Sequence, residues 1–395
     1  MIEKLNNISK NILIISPFFF PEPISTGKFN TDIAIALRDK GHNVTVLCSH
    51  PIYPKWKVEK SHSQIEGINI IRGGANIYYP KKPILRRAFL EIWFAFYMLR
   101  KIIRFRKNLD IIIPVFPPSL AFYFIIPFIK SKTKKVGMVH DLQEIYSLDK
   151  KGFFNKLIRL FINKVEDRTF RSCNKLIFLS EEMKETAEGF YNLSSEKLFV
   201  QYPFASLNSL SMTDDLGEIL PNDKEHVVYS GALGEKQNPR GVYSFFDAAS
   251  KKLDNVIFHF FSQGQIFEEL KTNNRNDKIK FHNLVPRKNI EELYKRSSVQ
   301  IIPQLPKTSK GSLPSKLPNL LASGCKILFI TDEKSEIDFL FNKHKLDKVV
   351  TSWDNNLLFQ SLRKLLQQKE YNVENQIKVA KELFSMDSMV NKILK

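Results

Sequence analysis

The sequence predicts an α/β protein built from two domains, each a parallel sheet with helices on both faces. Short apolar runs with the composition of buried strands alternate with amphipathic helical stretches along nearly the whole chain, an order that builds parallel sheets with helices on both faces. The alternation comes in two series, parted at Ser206 to Asp223 by a stretch rich in Ser, Asn, Asp, Gly and Pro. The length, 395 residues, suits two domains of ordinary size. The domains are expected over residues 1–205 and 206–372, with a helical segment over 373–395.

In the first series, strands are expected at Asn11–Phe18, Asn43–Ser49, Ile68–Arg72, Asp110–Val115, Lys135–His140, Lys175–Leu179 and Leu198–Tyr202. Helical patterns fill Lys28–Lys40, Leu85–Lys107 and Phe153–Arg171. Ligands of such sheets sit beyond the carboxyl ends of the strands, so each strand end is a candidate site. Thr26, Gly27 and Lys28 open the first helix after the first strand, and Gly27 lets a ligand approach the backbone closely. This loop lacks the spaced glycines of a dinucleotide fingerprint. His140 and Asp141 end the fifth strand, where catalytic side chains meet a cleft and where a structural histidine fits equally well. The run Ile111 to Ile129 has the length of a membrane span, but Pro114, Pro117, Pro118 and Pro127 interrupt it, which favours a buried strand leading into a buried helix.

In the second series, strands are expected at Val227–Ser230, Val256–Phe261, Ile279–Asn283, Val299–Pro303, Ile327–Ile330 and Lys348–Thr351. Gly231, Gly234 and Lys236 shape the loop after the first of these. Phe261-Ser262-Gln263-Gly264 and Asn283-Leu284-Val285-Pro286 turn the next two strand ends. The stretch Gly311 to Cys325 lies between two strands; Pro314 suits a first helical turn, Gly324 its close, and Ser312 or Ser315 its cap, with Lys316 nearby. Unpaired helix-start N–H groups beside a lysine hold phosphate. Each of these loops, taken singly, also suits an ordinary β-to-α connection. The tail from Glu374 places Ile377, Ala380 and Phe384 on one helical face, and Ser385 or Asp387 restarts a helix carrying Met389, Val390, Ile393 and Leu394.

Composition narrows the function. Hydrophobic residues at 43% and charged residues at 26% describe a globular chain. The net charge of +19 favours polyanionic partners: nucleic acid, an anionic membrane face or phosphorylated substrates. Three scattered cysteines, Cys48, Cys173 and Cys325, form neither a disulfide framework nor a metal cluster and fit a reducing cytosol. The apolar run at Asn11 to Phe20 meets Pro-Glu-Pro without a small-residue cleavage site, so no export signal is read. Between Lys81 and Lys107, basic residues (Lys81, Lys82, Arg86, Arg87, Arg100, Lys101, Arg104, Arg106, Lys107) interleave with Ile84, Leu85, Phe89, Ile92, Trp93, Phe96 and Tyr97 against one acid, Glu91. That pattern suits peripheral contact with anionic lipid, or a buried helix with solvated charged ends. No nucleic-acid-binding motif accompanies the charge, so no nucleic-acid partner is expected.

The ordered set of loops, at matching intervals across nearly the whole chain, resembles the family 4 retaining glycosyltransferases, which have the GT-B fold. Leu313 to Ala322 reads Leu-Pro-Ser-Lys-Leu-Pro-Asn-Leu-Leu-Ala and is similar to the colanic-acid and O-antigen fucosyltransferase-like branch. The resemblance implies two Rossmann-like domains facing a central cleft, with the helices of 373–395 crossing back onto the first domain. It implies donor diphosphate binding by Gly231, Lys236, Ser312, Leu313 and Lys316, and nucleoside binding by Val285 and Asn319. His140 and Asp141 would contact the donor sugar as catalytic residues, and Thr26, Gly27 and Lys28 would form an acceptor or phosphate loop. Three positions depart from the family. Ala232 stands where an arginine usually binds phosphate, and Gly311 and Asn319 stand where two glutamates, eight positions apart, usually flank the donor loop. The implied reaction moves a sugar from a nucleoside diphosphate to a polyprenyl-diphosphate-linked saccharide acceptor with retention, in surface polysaccharide biosynthesis, without a cofactor or a required metal. The protein would be cytoplasmic and peripheral on the inner face of the cell membrane. The alternatives are a nucleotide-sugar epimerase of the same fold and a basic nucleic-acid-binding protein.

Overall fold

The computed structural model describes residues 9–22, 24–53, 55–142, 153–204, 215–306, 313–314, 316–346, 349–368 and 371–395. The chain divides into two compact units, 1–201 with 386–395, and 202–385.

The first unit contains β1 (Asn11–Ile15), α1 (Ser25–Asp39), β2 (Asn43–Ser49), β3 (Ile68–Gly73), α2 (Pro83–Phe105), β4 (Ile111–Phe116), α3 (Leu120–Ile125), β5 (Lys134–Val139), α4 (Phe153–Ser172), β6 (Lys175–Phe178), α5 (Glu181–Tyr191) and β7 (Leu198–Val200). Its seven strands form one parallel sheet in the order β3-β2-β1-β4-β5-β6-β7. All six residues of β4 are buried, as a central strand covered on both faces requires. One core contains Phe94, Met98 and Ile102 of α2 with Phe116, Phe122, Phe170 and Phe178. α5 begins where the Ser180 side chain accepts from Met183 N–H at 3.1 Å, with Glu181 and Glu182 in its first turn.

The second unit contains β8 (Glu225–Ser230), α6 (Pro239–Ser250), β9 (Val256–Phe261), α7 (Gln265–Asn273), β10 (Ile279–His282), α8 (Ile290–Arg296), β11 (Val299–Pro303), α9 (Leu317–Ser323), β12 (Ile327–Ile330), α10 (Glu336–Lys343), β13 (Val349–Val350), α11 (Asn355–Gln367) and α12 (Val373–Leu383). Its parallel sheet runs β10-β9-β8-β11-β12-β13. The last helix, α13 (Met386–Leu394), belongs to the first unit.

Several expectations are revised. β1 stops at Ile15, because Ser16 Oγ takes the Phe18 N–H and turns the chain out of the sheet. The proline-rich run 111–129 is β4 followed by α3, and among the described residues no helix is long and apolar enough to cross a membrane. α9 opens at Leu317 with Pro318, not Pro314, in its first turn, while Gly324 closes it in the left-handed region at φ +71°. The candidate caps Ser312 and Ser315 lie outside the described residues. The linker stretch does not stand free throughout. Asp215 and Leu216 donate their N–H groups to the Glu292 carboxylate at 3.2 and 2.9 Å, and Leu220 is buried in the second unit.

The tail also divides differently. α12 packs on α9 of the second unit, where Gln376 Nε2 donates to Leu320 O and Cys325 O at 3.2 and 2.8 Å. Only α13 joins the first unit, lying against α1, with Lys392 Nζ donating to Gln201 Oε1 at 2.7 Å. The crossing therefore falls at 385–386 and not at 373. Buried amide pairing on α12, invisible to periodicity, decides which unit each helix joins.

β8, β9 and β10 also carry a row of histidines across the sheet. His226 Nδ1 lies 3.0 Å from His259 Nε2, His259 Nδ1 lies 3.0 Å from His282 Nε2, and His226 Nε2 lies 2.8 Å from Pro221 O. A carbonyl at one end makes His226 Nε2 the donor, which sets one consistent tautomer along the row. Burial pushes all three below the usual imidazole range, His282 to about 4 and His259 to about 2. The unfolded chain therefore binds more protons, so this contribution is complete above about pH 6.5 and is lost as pH falls toward the folded values. Thermal unfolding followed from about pH 7 down to about pH 4 should show a shallower loss of stability in His259→Phe than in the parent. Parallel profiles would contradict this account of the row.

Candidate active site

The order of the second sheet reverses between β8 and β11, and ligands of open α/β sheets bind at the carboxyl ends of strands flanking such a reversal. A cavity of about 440 Å³ lies there. Ser230, Gly231 and Ala232 line it from β8, and Pro303 and Gln304 from β11. Leu284, Val285, Leu293 and Tyr294 give it an apolar wall, while Lys236, Gln237, Leu313 and Lys316 close the polar side. The result is apolar space for a planar ring next to donors for an anion.

The loop after β8 is fastened along its length. Gly231 sits at φ +126°, a conformation side chains avoid, and its N–H donates to Phe261 O at 3.0 Å. Ser262 Oγ donates to Gly231 O at 2.7 Å, and Tyr229 Oη to Ala232 O at 2.5 Å. Gly234 N–H donates to Gln237 Oε1 while Gln237 N–H donates to Gly234 O, both at 3.0 Å. Leu305 N–H then donates to Lys236 O at 2.7 Å, tying the loop to the end of β11. Asn238, left-handed at φ +48°, caps α6 through its side chain, which accepts from Gly241 N–H at 3.3 Å. Lys236 is thus an exposed side chain on a rigid backbone.

Lys316 is held differently. Its ammonium donates to Ser230 O at 3.0 Å and Ile301 O at 3.1 Å and lies 4.4 Å above the Tyr229 ring centroid. Among the described residues no carboxylate enters this arrangement, and burial pushes the amine down to about 7. Ser230 Oγ donates to Gln300 Oε1 at 3.1 Å, and Gln300 Nε2 to Ser297 Oγ at 2.9 Å, so the carbonyl end of β8 is braced from behind.

The structure brings Gly231, Lys236, Val285, Leu313 and Lys316 to one cavity. Asn319 lies on α9 and is not among the lining residues, and Ser312 and Gly311 lie outside the described residues. Thr26, Gly27 and Lys28 form the first turn of α1, in the first unit. A Cβ on Gly27 would meet Glu22 Cβ and O at 3.1 Å, so this glycine also serves local packing. His140 directly follows β5 in the same unit, one residue beyond the strand's observed end, with its ring edge-on to Phe29 at 4.9 Å and its Nε2 buried without a hydrogen-bond partner. Burial pushes the imidazole down to about 4, so it is neutral at pH 7. The Asp141 carboxylate accepts from Leu142 N–H at 3.0 Å. Tyr229 and Gln237 line the cavity and fasten its loop, and sequence reading missed both. The three-residue spacing of Gly234 and Gln237, that of a capping box, was a usable signal for the second. Among the described residues no group of three or more His, Cys, Asp or Glu side chains is placed to hold a metal ion.

Residues 26–208 match the model of Glycosyltransferase Family 4. The chain is also 26% identical over 359 residues to the colanic acid biosynthesis glycosyl transferase WcaI of Escherichia coli (strain K12), covering 82% of this chain and 84% of that protein. This is a glycosyltransferase, similar over residues 26–208 to family 4. Solved structures of GT-B enzymes share its fold. Sucrose-phosphate synthase from Thermosynechococcus elongatus aligns with a TM-score of 0.67 at 14% identity over 97% of both chains. WaaG, a glycosyltransferase involved in lipopolysaccharide biosynthesis, aligns with a TM-score of 0.64 at 13% identity over 97% of this glycosyltransferase and 99% of WaaG. A UDP-N-acetylglucosamine 2-epimerase structure from Listeria monocytogenes aligns at 0.60 with 10% identity, over 98% and 95% of the two chains, so the fold by itself does not separate transfer from epimerisation.

Replacing Gly231 with alanine tests how the loop shapes this enzyme's cavity. No neighbour blocks a Cβ there, so strain comes from the backbone alone. Such strain costs about 1–3 kcal/mol. Gly231→Ala should lower the thermal midpoint and weaken binding of nucleoside diphosphates, as read by calorimetry. Unchanged stability and affinity would show that the left-handed turn is dispensable.

Proposed function

We propose that this glycosyltransferase moves a sugar from a nucleoside-diphosphate donor to a polyprenyl-diphosphate-linked saccharide, with retention of configuration, during surface polysaccharide assembly. The observation that carries the reading is the cavity at the β8/β11 reversal, which combines an apolar wall with the Gly231 loop, Lys236 and the half-buried Lys316. The donor's base would lie against Leu284 and Val285, and its diphosphate beside Lys236 and Lys316. Asn319, on α9, would hydrogen-bond a ribose hydroxyl without supplying charge. Similarity to WcaI, and the shared fold with WaaG, support surface polysaccharide as the product class.

The chemistry asks for stabilisation of the negative charge that develops on the departing diphosphate. Lys236 supplies an exposed cation. Lys316 supplies one of near-neutral pKa, whose charged form an adjacent diphosphate would favour. No resident metal is needed in this scheme. The acceptor hydroxyl would attack from the face the diphosphate leaves, with the diphosphate taking its proton. His140, neutral and with Nε2 unpartnered, would orient the transferring sugar by a hydrogen bond, and Asp141 would assist from the same strand end. The loop of Thr26, Gly27 and Lys28 would meet the acceptor or a phosphate.

The reading also places the enzyme at an anionic membrane, peripheral on its cytoplasmic face. α2 turns Leu85, Ile92, Phe96 and Ile103 to solvent at 50–64% exposure, with Arg87, Arg100 and Arg104 also exposed along it and Lys107 just beyond its end. Trp93 and Tyr97, by contrast, turn inward, donating to Tyr79 Oη at 2.9 Å and Ile71 O at 3.0 Å. A free nucleotide-sugar epimerase has no use for such a face.

Lys236→Ala and Lys316→Ala should each lower turnover by roughly tens to several hundredfold at saturating donor while the protein remains folded. Near-normal kcat in both would remove the diphosphate assignment. His140→Ala should lower kcat with little change in nucleoside-diphosphate affinity; an equal fall in affinity and thermal stability would make it structural. Replacing Arg100, Lys101, Arg104 and Arg106 together with glutamine should weaken sedimentation with anionic vesicles, and salt should release the parent protein as charges are screened over about 10 Å at 0.1 M. Failure of the parent to sediment would point to a soluble acceptor.

A further inference from the structure

A second feature of the first unit lies apart from the residues assigned above. Arg86, near the start of α2, holds its guanidinium carbon 4.2 Å above the centroid of the Trp56 ring. Trp56 meets Phe18 and Tyr79 edge-on at 6.4 and 5.6 Å, and Tyr79 meets Phe89 at 5.8 Å. The Tyr79 hydroxyl takes the Trp93 indole N–H at 2.9 Å, which fixes the cup these rings form. Its walls come from the segments that follow β1, β2 and β3, the edge of the sheet where ligands bind. Trp56 is held at φ +53°, unusual for a bulky residue, and a bridge between Lys57 and Tyr78 joins its segment to that of Tyr79.

Arg86 Nε is buried in this cup without a hydrogen-bond partner, and among the described residues no carboxylate pairs with the guanidinium. Two buried or half-buried acids of the neighbouring elements are committed elsewhere. Glu91 accepts from Ser119 and Leu120 N–H at 3.2 and 2.9 Å, and Glu22 from Ile52 and Tyr53 N–H at 2.9 and 2.5 Å. Lys55, Lys57, Lys81, Lys82 and Arg87 are exposed around it. A buried guanidinium donor without an acceptor is costly, and a stacked guanidinium keeps its donor edge fixed, which suits two-point contact with phosphate. Leu85, the neighbouring residue, begins the exposed apolar stripe of α2.

We propose that Arg86, stacked on Trp56, anchors a phosphoryl group of the lipid-linked substrate, with that lipid's hydrocarbon lying along Leu85, Ile92 and Phe96. This rests on the lipid-linked acceptor argued above and assigns the residue that binds its phosphate. Arg86 is a binding residue and takes no part in bond making.

The test compares the full-length parent, Arg86→Met and Arg86→Lys, each with its thermal midpoint recorded. Binding is measured to neutral phosphatidylcholine vesicles carrying polyprenyl diphosphate, to the same vesicles carrying polyprenol, and to inorganic diphosphate alone. The parent should prefer the diphosphate vesicles by roughly tenfold or more. Arg86→Met should lose most of that preference, and Arg86→Lys, which keeps the charge without the fork, should retain part of it. Equal preference in the parent and both variants overturns the proposal and leaves the lipid-linked acceptor standing. An Arg86-dependent response to inorganic diphosphate with no vesicle preference keeps the phosphoryl site and overturns its assignment to lipid. A parent indifferent to all three probes overturns both readings.

Discussion

The Lys316 ammonium, buried against two main-chain carbonyls and one aromatic ring, is the interaction on which the candidate site depends. Ser230 O ends β8 and Ile301 O belongs to β11, so one side chain joins the two strands at the point where the sheet order reverses. An ammonium has three donors, and these carbonyls engage two of them. Carbonyl dipoles and the Tyr229 face compensate a charge that burial disfavours only in part, which is why the amine is pushed down to about 7. An anion arriving in the cavity would supply the missing compensation. The same geometry therefore shapes the cavity and predisposes it toward a diphosphate.

The two units hold different chemistry on related scaffolds. In the second, the sheet ends in a fastened glycine loop and a cavity with one apolar and one cationic side. In the first, the strand ends carry a neutral, unpartnered histidine and an aromatic cup with an unpaired arginine, and α2 exposes an apolar stripe among basic residues. Structures with TM-scores of 0.60 to 0.67 include transferases and an epimerase, so shared backbone does not choose among reactions. The similarity to WcaI favours glycosyl transfer over epimerisation of a free nucleotide sugar.

Strands were legible in the sequence because each is a short apolar run ended by glycine, proline or polar residues, and β4 and β8 show this plainly. The loops that carry Gly231 and Lys236 were legible for the same reason. Features that depend on distant partners were not. Lys316 looked like a helix-start lysine, but its partners come from 86 and 15 residues away. Pro314 and Pro318 each suited a first turn, and local propensity offered no means of choosing. Trp93 and Tyr97 shared a basic segment with Phe96, yet only Phe96 faces solvent, because hydrogen bonds to Tyr79 and Ile71 draw the other two inward. The histidine row could not be read at all, since its members meet only once the strands align.

The central claim is that the diphosphate of the donor binds beside Lys316 in the cavity of the second unit. It is tested most directly by titrating the Lys316 amine by NMR, with selectively labelled lysine and Lys316→Arg for assignment, with and without a nucleoside diphosphate. The account predicts an amine titrating near 7 in the free protein and shifted markedly upward when the nucleotide is bound. An amine that titrates in the ordinary lysine range in the free protein, or one that nucleotide leaves unmoved, would contradict it.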